Sequence, residues 1–313
     1  MSEINDVLIL CTRNRVHQVR DRLEEYRQLS DLPGAIVVVD SSDTSSTRDA
    51  VAHAGLDFSV PIDYLRTSPG LPHQRNVGIS WVRNKFRRIE LIHFLDDDII
   101  PNPGYFSRVR QIFNDIPNAV AVGGFDPELI PNQSKGLLRR ITGIGSSKSG
   151  VILPSGIAIP AHPRSEIEEC DWLVGGMQSV RAGVFDQHQF DASLRMYGED
   201  IDFYLRIAHL GKIICSRDLS ITHLNDSSNR DSPREVQLFH NGIRWLLARR
   251  YPNKISAFRV LQVALVLAVG ELAKYARTND KHHLAASQGN LEFFCRLIRH
   301  QPVVQYVDTA IQS

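Results

Sequence analysis

The sequence has no hydrophobic run long enough to cross a membrane as a helix. Its longest apolar run, VLQVALVLAV at residues 260–269, already contains Gln262, whereas a membrane-spanning helix needs about 20 apolar residues. The first ten residues, MSEINDVLIL, do not follow the basic, apolar and small-residue order of a signal peptide. We therefore expect neither a transmembrane helix nor secretion.

The chain is also poor in cysteine and in net charge. Its four cysteines, Cys11, Cys170, Cys215 and Cys295, lack the CxxC spacing of zinc and redox motifs, and we therefore predict a reducing, cytoplasmic location. Lys and Arg number 36 against 35 Asp and Glu, which leaves a formal net charge of +1. The chain therefore has no overall positive field of the kind that attracts nucleic acid. We expect its partner to bind at a defined site instead.

The first 125 residues alternate short apolar runs with amphipathic segments. The apolar runs predict strands at residues 7–12, 35–40, 63–67 and 90–95. The segments between them predict helices at residues 15–29, 41–55 and 72–86. This alternation predicts an α/β fold with a parallel sheet, which binds its ligands at the carboxyl ends of the strands.

Three aspartates follow the fourth predicted strand directly, in FLDDDIIPNPGYF at residues 94–106. Asp96, Asp97 and Asp98 repel one another, and a divalent cation would relieve that repulsion. Mg²⁺ and Mn²⁺ prefer such oxygen ligands together with a phosphate. The triplet therefore indicates a metal site, and the alternative from the same residues is a solvated turn or a helix start.

The second half of the chain contains further candidate residues. Glu199 and Asp200 follow Gly198 at the predicted start of a helix within FDASLRMYGEDIDFYLRIAHLGK, residues 190–212. The segments at residues 213–215 and 219–225 predict two more strands, and His223 lies in the second. His223 is either a half-buried histidine of an edge strand or a nitrogen ligand of the aspartate site.

Together, four segments in this order resemble the family 2 glycosyltransferases: RNVGI, FLDDDIIPNPGYF, WLVGGMQSVRAGVF and FDASLRMYGEDIDFYLRI. The resemblance runs from about residue 6 to residue 225. It implies the GT-A fold, a Rossmann-like, mostly parallel sheet flanked by helices. It also implies inverting transfer of a sugar from a nucleotide diphosphate donor to an acceptor hydroxyl.

The resemblance implies a donor site at the strand ends. Asp40 matches the acid that contacts the donor's base, and Arg75 matches the basic residue near the diphosphate; from the residues alone, these are a helix cap and a surface arginine. Asp96 matches the residue that faces the ribose and the metal, whereas Asp97 is expected to point away. The residues assigned to the nucleotide sugar are Thr12, Arg13, Asp40, Arg75, Asp96 and Asp97.

The resemblance also implies a metal site and a catalytic base. Asp98 and Asp96 would hold Mn²⁺ or Mg²⁺, with His223 as a third ligand that only some members have. Asp200 matches the base that accepts the acceptor's proton, and Glu199 beside it would orient the acceptor or the base. Both acids are expected at the positive end of one helix.

The resemblance leaves alternatives for the donor nucleotide and for the acceptor. A UDP-sugar is favoured, with dTDP- or GDP-sugars as alternatives. Trp172, Gly175 and Gly176 are assigned to a glycan or lipid-linked acceptor, as in bacterial cell-surface polysaccharide or glycoconjugate synthesis, although Trp172 could equally lie in the core. The glycine- and serine-rich residues 143–150 indicate either a mobile loop over the site or a tolerated insertion.

We expect a catalytic domain at residues 1–239, with a nucleotide-binding half to about residue 125 and an acceptor-binding half from 126. Residues 240–313 are expected to form a helical extension. Its segment at residues 258–276 is apolar around most of its circumference and must be covered as a helix. The covering surface is a second subunit, the inner face of a membrane to which the protein binds peripherally, or the catalytic domain.

Two other functions remain open from the sequence. A nucleotidyltransferase would share the sheet and the acidic metal site, although CTRNRVHQ after the first strand has no glycine for a phosphate-binding loop. A noncatalytic nucleotide-sugar-binding module would keep the pocket and lack the base, whereas Asp200 is present.

Overall fold

The computed structural model describes residues 4–129, 141–194, 197–224 and 232–303. These residues form two compact units, one of residues 4–129 and 160–224, the other of residues 141–159 and 232–303. The predicted domain boundary at residue 239 stays a prediction, because compact units describe contacts within the chain and not independent folding. Residues 304–313 of the predicted extension lie outside the described residues.

The described residues contain eleven strands and eight α-helices. The strands are β1 (Asp6–Thr12), β2 (Ala35–Asp40), β3 (Ile62–Arg66), β4 (Leu91–Leu95), β5 (Ile99–Pro101), β6 (Ala119–Phe125), β7 (Val151–Ile152), β8 (Ala158–Ile159), β9 (Ile167–Glu169), β10 (Met177–Arg181) and β11 (Lys212–His223). The helices are α1 (Val16–Arg27), α2 (Ser46–Ala54), α3 (Leu71–Lys85), α4 (Tyr105–Asp115), α5 (Glu199–Ile207), α6 (Pro233–Arg250), α7 (Ala257–Thr278) and α8 (Lys281–Ile298).

The four predicted strands and three predicted helices of the first 95 residues are all present. Strands β1, β2 and β4 are buried along their whole length, which explains their continuous Val, Ile and Leu runs. They lie in the sheet order β3-β2-β1-β4 and pair in parallel. The carboxyl ends of these strands therefore meet at one edge, as the alternation predicted.

The sheet continues beyond β4 with an antiparallel strand, β10. Strand β10 lies between β4 and β6 and runs antiparallel to both. The order continues through β6, β11 and β5, and β9 also pairs with β11. The fold is thus the predicted α/β architecture with a mostly parallel sheet. Strand β10 brings the double glycine that precedes it, Gly175 and Gly176, to the carboxyl end of β4.

The two strands predicted at residues 213–215 and 219–225 are one strand, β11. Its pairing with β6 shifts register between Cys215 and Ser220, and this irregularity breaks the sequence pattern in two. The far end of β11 pairs with β5, so that His223 lies opposite Ile99. This pairing places His223 beside the aspartate triplet.

The second unit joins the β7–β8 hairpin to helices α6, α7 and α8. Asn241 of α6 donates a buried hydrogen bond to Asn290 of α8 over 2.8 Å. A side chain at Gly289 would clash with the backbone carbonyl of Arg234, so glycine lets these two helices approach closely. The predicted helical character of the C-terminal segment is confirmed over the described residues, none of whose helices is long and apolar enough to span a bilayer.

Candidate active site

Polar side chains lie at the carboxyl ends of four strands that run in the same direction, at one edge of the sheet. Asp96 and Asp126 come directly after β4 and β6, while Thr12 and Asp40 end β1 and β2. Sequence reasoning singled out three of these residues and missed Asp126. The signal for Asp126 is the one that identified Asp96, an acid directly after a buried apolar strand.

Asp97 is buried within the sheet edge. Its carboxylate accepts a hydrogen bond from Oγ1 of Thr12 over 2.6 Å and another from Nη1 of Arg15 over 2.8 Å. The same guanidinium lies 3.3 Å from Oδ2 of Asp98. Arg15 was not predicted as a site residue, although its place three residues after β1 puts it at this edge.

His223 lies against Asp98, as the β11–β5 pairing requires. Its Nε2 is 3.4 Å from Oδ1 of Asp98, and its Nδ1 is 4.0 Å from Oδ2 of Asp126. The backbone N–H of Leu224 also donates to the carbonyl of Asp98. The hydrogen bond to Asp98 raises the pKa of His223, against a smaller opposing effect of burial.

The donor atoms at this edge fit a divalent cation that a substrate helps to hold. No three His, Cys, Asp or Glu side chains of the described residues converge on a preformed metal site. Mg²⁺ is commonly bound through one or two carboxylates together with substrate phosphates, and so needs no such cluster. Asp98, with Asp96 and His223 near it, supplies a donor set of that kind.

Arg75 lies in the interior, close to two acids. Its Nη1 donates to Oε1 of Glu199 over 3.0 Å, and its Nη2 lies 3.7 Å from Oδ1 of Asp96. The guanidinium also sits over the rings of Phe190 and Phe94, 5.2 and 6.0 Å from their centroids. Burial lowers the pKa of Arg75, but the carboxylates of Glu199 and Asp96 outweigh it and the net shift is upward. The surface-arginine interpretation is therefore wrong.

Glu199 is buried as the partner of Arg75. Its Oε1 accepts the Arg75 hydrogen bond, while its Oε2 is enclosed without a hydrogen-bond partner among the described residues. A polar atom left this way is costly unless a ligand or water reaches it. Glu199 thus holds Arg75 in place through one oxygen, while its second oxygen is buried without a hydrogen-bond partner among the described residues.

Asp200 occupies the first turn of α5, which begins where the sequence predicted. Gly198 precedes the helix with a left-handed φ of 83°. Oδ1 of Asp200 accepts from the N–H of Ile201 over 2.8 Å, and Oδ2 accepts from the N–H of Gly175 over 3.2 Å. Both bonds stabilise the ionised form.

The pKa of Asp200 is nevertheless raised, to about 7. Desolvation is the main cause and the charge of Glu199 adds to it, while Arg75 and the two backbone N–H groups oppose the rise. Asp200 is partly exposed as a residue, yet protein atoms surround its carboxylate closely enough for desolvation to dominate the rise in its pKa. A carboxylate with a pKa near 7 is well suited to accept a proton at neutral pH.

The double glycine, Gly175 and Gly176, lies against Arg75, Asp96 and Asp200. A Cβ at Gly175 would lie 2.6 Å from Nη1 of Arg75, and one at Gly176 would clash with the carboxylate of Asp96. Gln178 fixes the loop by donating to the carbonyl of Gly175 over 3.0 Å. The sequence assigned both glycines to the candidate site but gave no physical reason for them. The structure shows the reason, which is that neighbouring side chains lie too close for a Cβ, and not that the backbone needs a conformation special to glycine.

The other predicted residues lie elsewhere along the edge. Asp40 is fully buried, with Oδ1 accepting from Ser42 and Oδ2 from the hydroxyl of Tyr64. Arg13 is exposed and forms a 3.8 Å ion pair with Asp43. The Trp172 side chain is buried. Their roles toward donor and acceptor stay predictions.

The sequence of the first 171 residues matches a known protein family. The family model described as glycosyl transferase family 2 matches residues 7–171, more than half of the chain. The chain belongs to glycosyl transferase family 2. The predicted resemblance is confirmed, and the protein is a glycosyltransferase. Comparison with curated proteins gives no match.

Solved glycosyltransferase structures have the same fold. A mannosyltransferase from Pyrobaculum calidifontis, in complex with GDP-Man and Mn²⁺, is 14% identical over 94% of this chain and 88% of its own, with a TM-score of 0.59. S. aureus TarS 1–349, in complex with UDP-GlcNAc, is 14% identical over 95% of this chain and 92% of its own, with a TM-score of 0.50.

GalNAc-T7, in complex with UDP, GalNAc and Mn²⁺, is 13% identical over 80% of this chain and 51% of its own, with a TM-score of 0.50. At such identities the similarities show the fold alone. The predicted GT-A architecture of this family 2 glycosyltransferase is thus confirmed.

Proposed function

We propose that this glycosyltransferase transfers a sugar from a nucleotide diphosphate donor to an acceptor hydroxyl with inversion at the anomeric carbon. One observation carries the proposal. The loop of Gly175 and Gly176 contacts Asp200 through a backbone N–H and leaves no room for a side chain against Arg75 and Asp96. These contacts support the proposal that the candidate base and the candidate donor-site residues act in one site.

Asp200 is the base in this mechanism. Its raised pKa lets it accept the proton of the acceptor hydroxyl as the oxygen attacks the anomeric carbon. A single carboxylate is sufficient for inversion, because a phosphate leaving group needs no general acid, in contrast to inverting hydrolysis. Glu199 contributes indirectly, since it fixes the position and charge of Arg75.

The leaving nucleoside diphosphate develops negative charge, and the site has positive groups to meet it. Arg15 lies at this edge and Arg75 lies buried behind it, each already paired with an acid of the site. A cation held by Asp98, with Asp96 and His223 beside it, would supply Lewis-acid stabilisation of the leaving phosphate. Asp98 is the first residue we assign to that cation. Mn²⁺ accompanies the nucleotide or nucleotide sugar in two of the similar structures.

For the donor, we propose a UDP-sugar, with a dTDP- or GDP-sugar as the alternatives. The similar structures hold both uracil and guanine nucleotides, so they do not discriminate. Asp40, with Thr12 and Arg13 near it, is assigned to the nucleotide. We propose a glycan or lipid-linked acceptor from bacterial surface polysaccharide or glycoconjugate synthesis, bound near Trp172 and the double glycine.

The test is a panel of nucleotide sugars incubated with the purified chain and Mn²⁺, with release of nucleoside diphosphate as the readout. One donor should be hydrolysed slowly, and Asp200→Asn should bind it without releasing diphosphate. Asp49→Asn is the matched control, because Asp49 is an exposed acid in the first turn of another helix.

Two outcomes contradict the proposal. Nucleotide-sugar binding without turnover by any donor, even with added glycan acceptors, would indicate a noncatalytic binding module. Pyrophosphate release from a nucleoside triphosphate and a sugar phosphate would indicate a nucleotidyltransferase.

A further inference from the structure

Helix α7 carries a continuous apolar face that nothing in the described chain covers. Four of its large side chains are strongly exposed: Phe258 at 71%, Leu265 at 52%, Val269 at 60% and Leu272 at 48%. Their spacings of seven, four and three residues place them on one side of the helix. Exposed apolar surface of this extent on one helix face marks an interaction site.

The opposite face of α7 is already packed. Val260, Val263, Ala264 and Ala268 are buried within the second unit. Packing within the chain therefore accounts for the apolar residues of the inner face and leaves those of the outer face unexplained.

The outer face continues into an apolar groove. Leu261 lines this groove and lies about one helical turn from both Phe258 and Leu265. The remaining apolar side chains of the groove come from α6 and α8 and from the residues after α8: Trp245, Leu246, Phe294, Leu297, Ile298, Pro302 and Val303. We call Phe258, Leu265, Val269 and Leu272, together with this groove, the outer apolar surface.

The charge of the surrounding segment is strongly positive. Residues 232–303 contain eleven Lys and Arg against four Asp and Glu, whereas the whole chain has 36 against 35. Ion pairs join two of the acids to three of the basic residues, Glu271 to Lys274 and Glu292 to Arg234 and Arg296. The segment nevertheless has seven more Lys and Arg than Asp and Glu, so its positive charge is not balanced locally.

Basic side chains are placed beside the outer apolar surface. Arg259 and Arg277 are 18 residues apart, five helical turns, and so project from the same flank of α7. Arg249 lines the groove itself. Long basic side chains next to an apolar face can reach lipid phosphates while the apolar residues enter the acyl boundary.

We propose that the outer apolar surface binds flat to a membrane containing anionic lipid, with α7 parallel to the bilayer plane. No helix of the described residues is long and apolar enough to span a membrane, so contact along the surface is the geometry available. Anionic lipid suits the excess of Lys and Arg. A second copy of the chain is disfavoured as the occupant, because pairing these surfaces would bring two positive segments together.

The test is sedimentation of the full chain with phosphatidylcholine vesicles, with and without phosphatidylglycerol. Binding should require phosphatidylglycerol and weaken as salt rises. Leu265→Asp with Val269→Asp should lower the partition coefficient at least tenfold. Leu56→Asp is the matched control, because Leu56 is 77% exposed in the first unit and should leave binding unchanged.

A second pair of variants tests the charge. Arg249→Gln with Arg277→Gln should weaken binding to phosphatidylglycerol vesicles severalfold, and the Lys versions of both should restore it. Circular dichroism confirms that each variant is folded. The assay measures no sugar transfer, so its outcome is independent of the proposed function.

Three outcomes would overturn the proposal. The full chain could fail to sediment with anionic vesicles at low salt. Binding could survive Leu265→Asp with Val269→Asp. Light scattering could show a dimer that these two changes dissociate, which would make the outer apolar surface a subunit interface.

Discussion

Nη1 of Arg75 donates a hydrogen bond to Oε1 of Glu199 over 3.0 Å, although the two residues are 124 positions apart in the sequence. The pair is buried and lies directly behind the double glycine. It connects the helix that precedes the aspartate triplet to the helix that carries the candidate base. An interior ion pair therefore links the helices that carry the candidate donor-site and catalytic residues.

Removing one member of this pair should be strongly destabilising. We expect Arg75→Met to lower the free energy of unfolding by about 3–5 kcal/mol, because Glu199 would remain buried without its partner. Arg75→Met with Glu199→Leu should cost less than the sum of the single changes. Urea unfolding measures all three variants.

Arg83→Met is the control on the same helix. Arg83 pairs with Asp186 at the surface, and such exposed pairs contribute at most about 1 kcal/mol. Equal losses for Arg75→Met and Arg83→Met would contradict the assignment of an interior ion pair.

Asp200→Asn should slow transfer strongly and leave donor binding nearly normal. An amide cannot accept a proton, and loss of a general base lowers turnover by about 10²- to 10⁴-fold. Calorimetry with the donor and a transfer assay separate binding from chemistry. Full transfer by the variant at neutral pH would move the base to another residue.

The raised pKa of Asp200 gives two pH dependences of opposite sign. Activity needs the ionised form, so kcat/KM should rise with pH and level off above about 7. Folding favours the protonated form, because the native pKa lies above the unfolded value of about 3.9. That stabilisation is complete below about pH 4 and is lost as the pH rises through 7.

Asp200→Asn cannot ionise and should escape this loss. Its thermal stability relative to the parent chain should therefore improve between pH 4.5 and 7.5. A stability difference that stays constant over this range would mean that the pKa of Asp200 is not raised in the folded state.

Gly176→Ala should damage the donor site without unfolding the chain. The added methyl group would displace the carboxylate of Asp96, and we expect at least tenfold weaker binding of nucleotide and Mn²⁺. Gly183→Ala is the control, because its Cβ would meet no atom closer than 3.9 Å. Unchanged nucleotide binding by Gly176→Ala would show that Asp96 does not contact the donor.

Asp98→Asn and His223→Ala should both weaken Mn²⁺ binding in the presence of nucleotide. The loss should be larger for Asp98→Asn, since it removes a charge and a carboxylate oxygen from the cation. Titration calorimetry with Mn²⁺ and UDP measures the difference. If His223→Ala changes thermal stability and leaves the Mn²⁺ affinity unchanged, His223 is a structural partner of Asp98 and not a ligand.

The sequence determined the elements that local physics controls. Continuous Val, Ile and Leu runs predicted β1, β2 and β4, because a strand buried on both faces has no polar side to show. The acids after these strands and at the start of α5 identified the candidate site, since parallel strands bring their carboxyl ends to one edge.

Tertiary structure decided what depends on contacts between distant segments. Insertion of β10 antiparallel between β4 and β6, and the pairing of His223 opposite Ile99, are matters of strand order and register that no local pattern encodes. The burial of Arg75 against Glu199 is of the same kind, because an arginine reads as a surface residue until an acid from elsewhere neutralises it. The raised pKa of Asp200 also follows from enclosure by several segments, since desolvation depends on what surrounds a carboxylate in space and not on its neighbours in the chain.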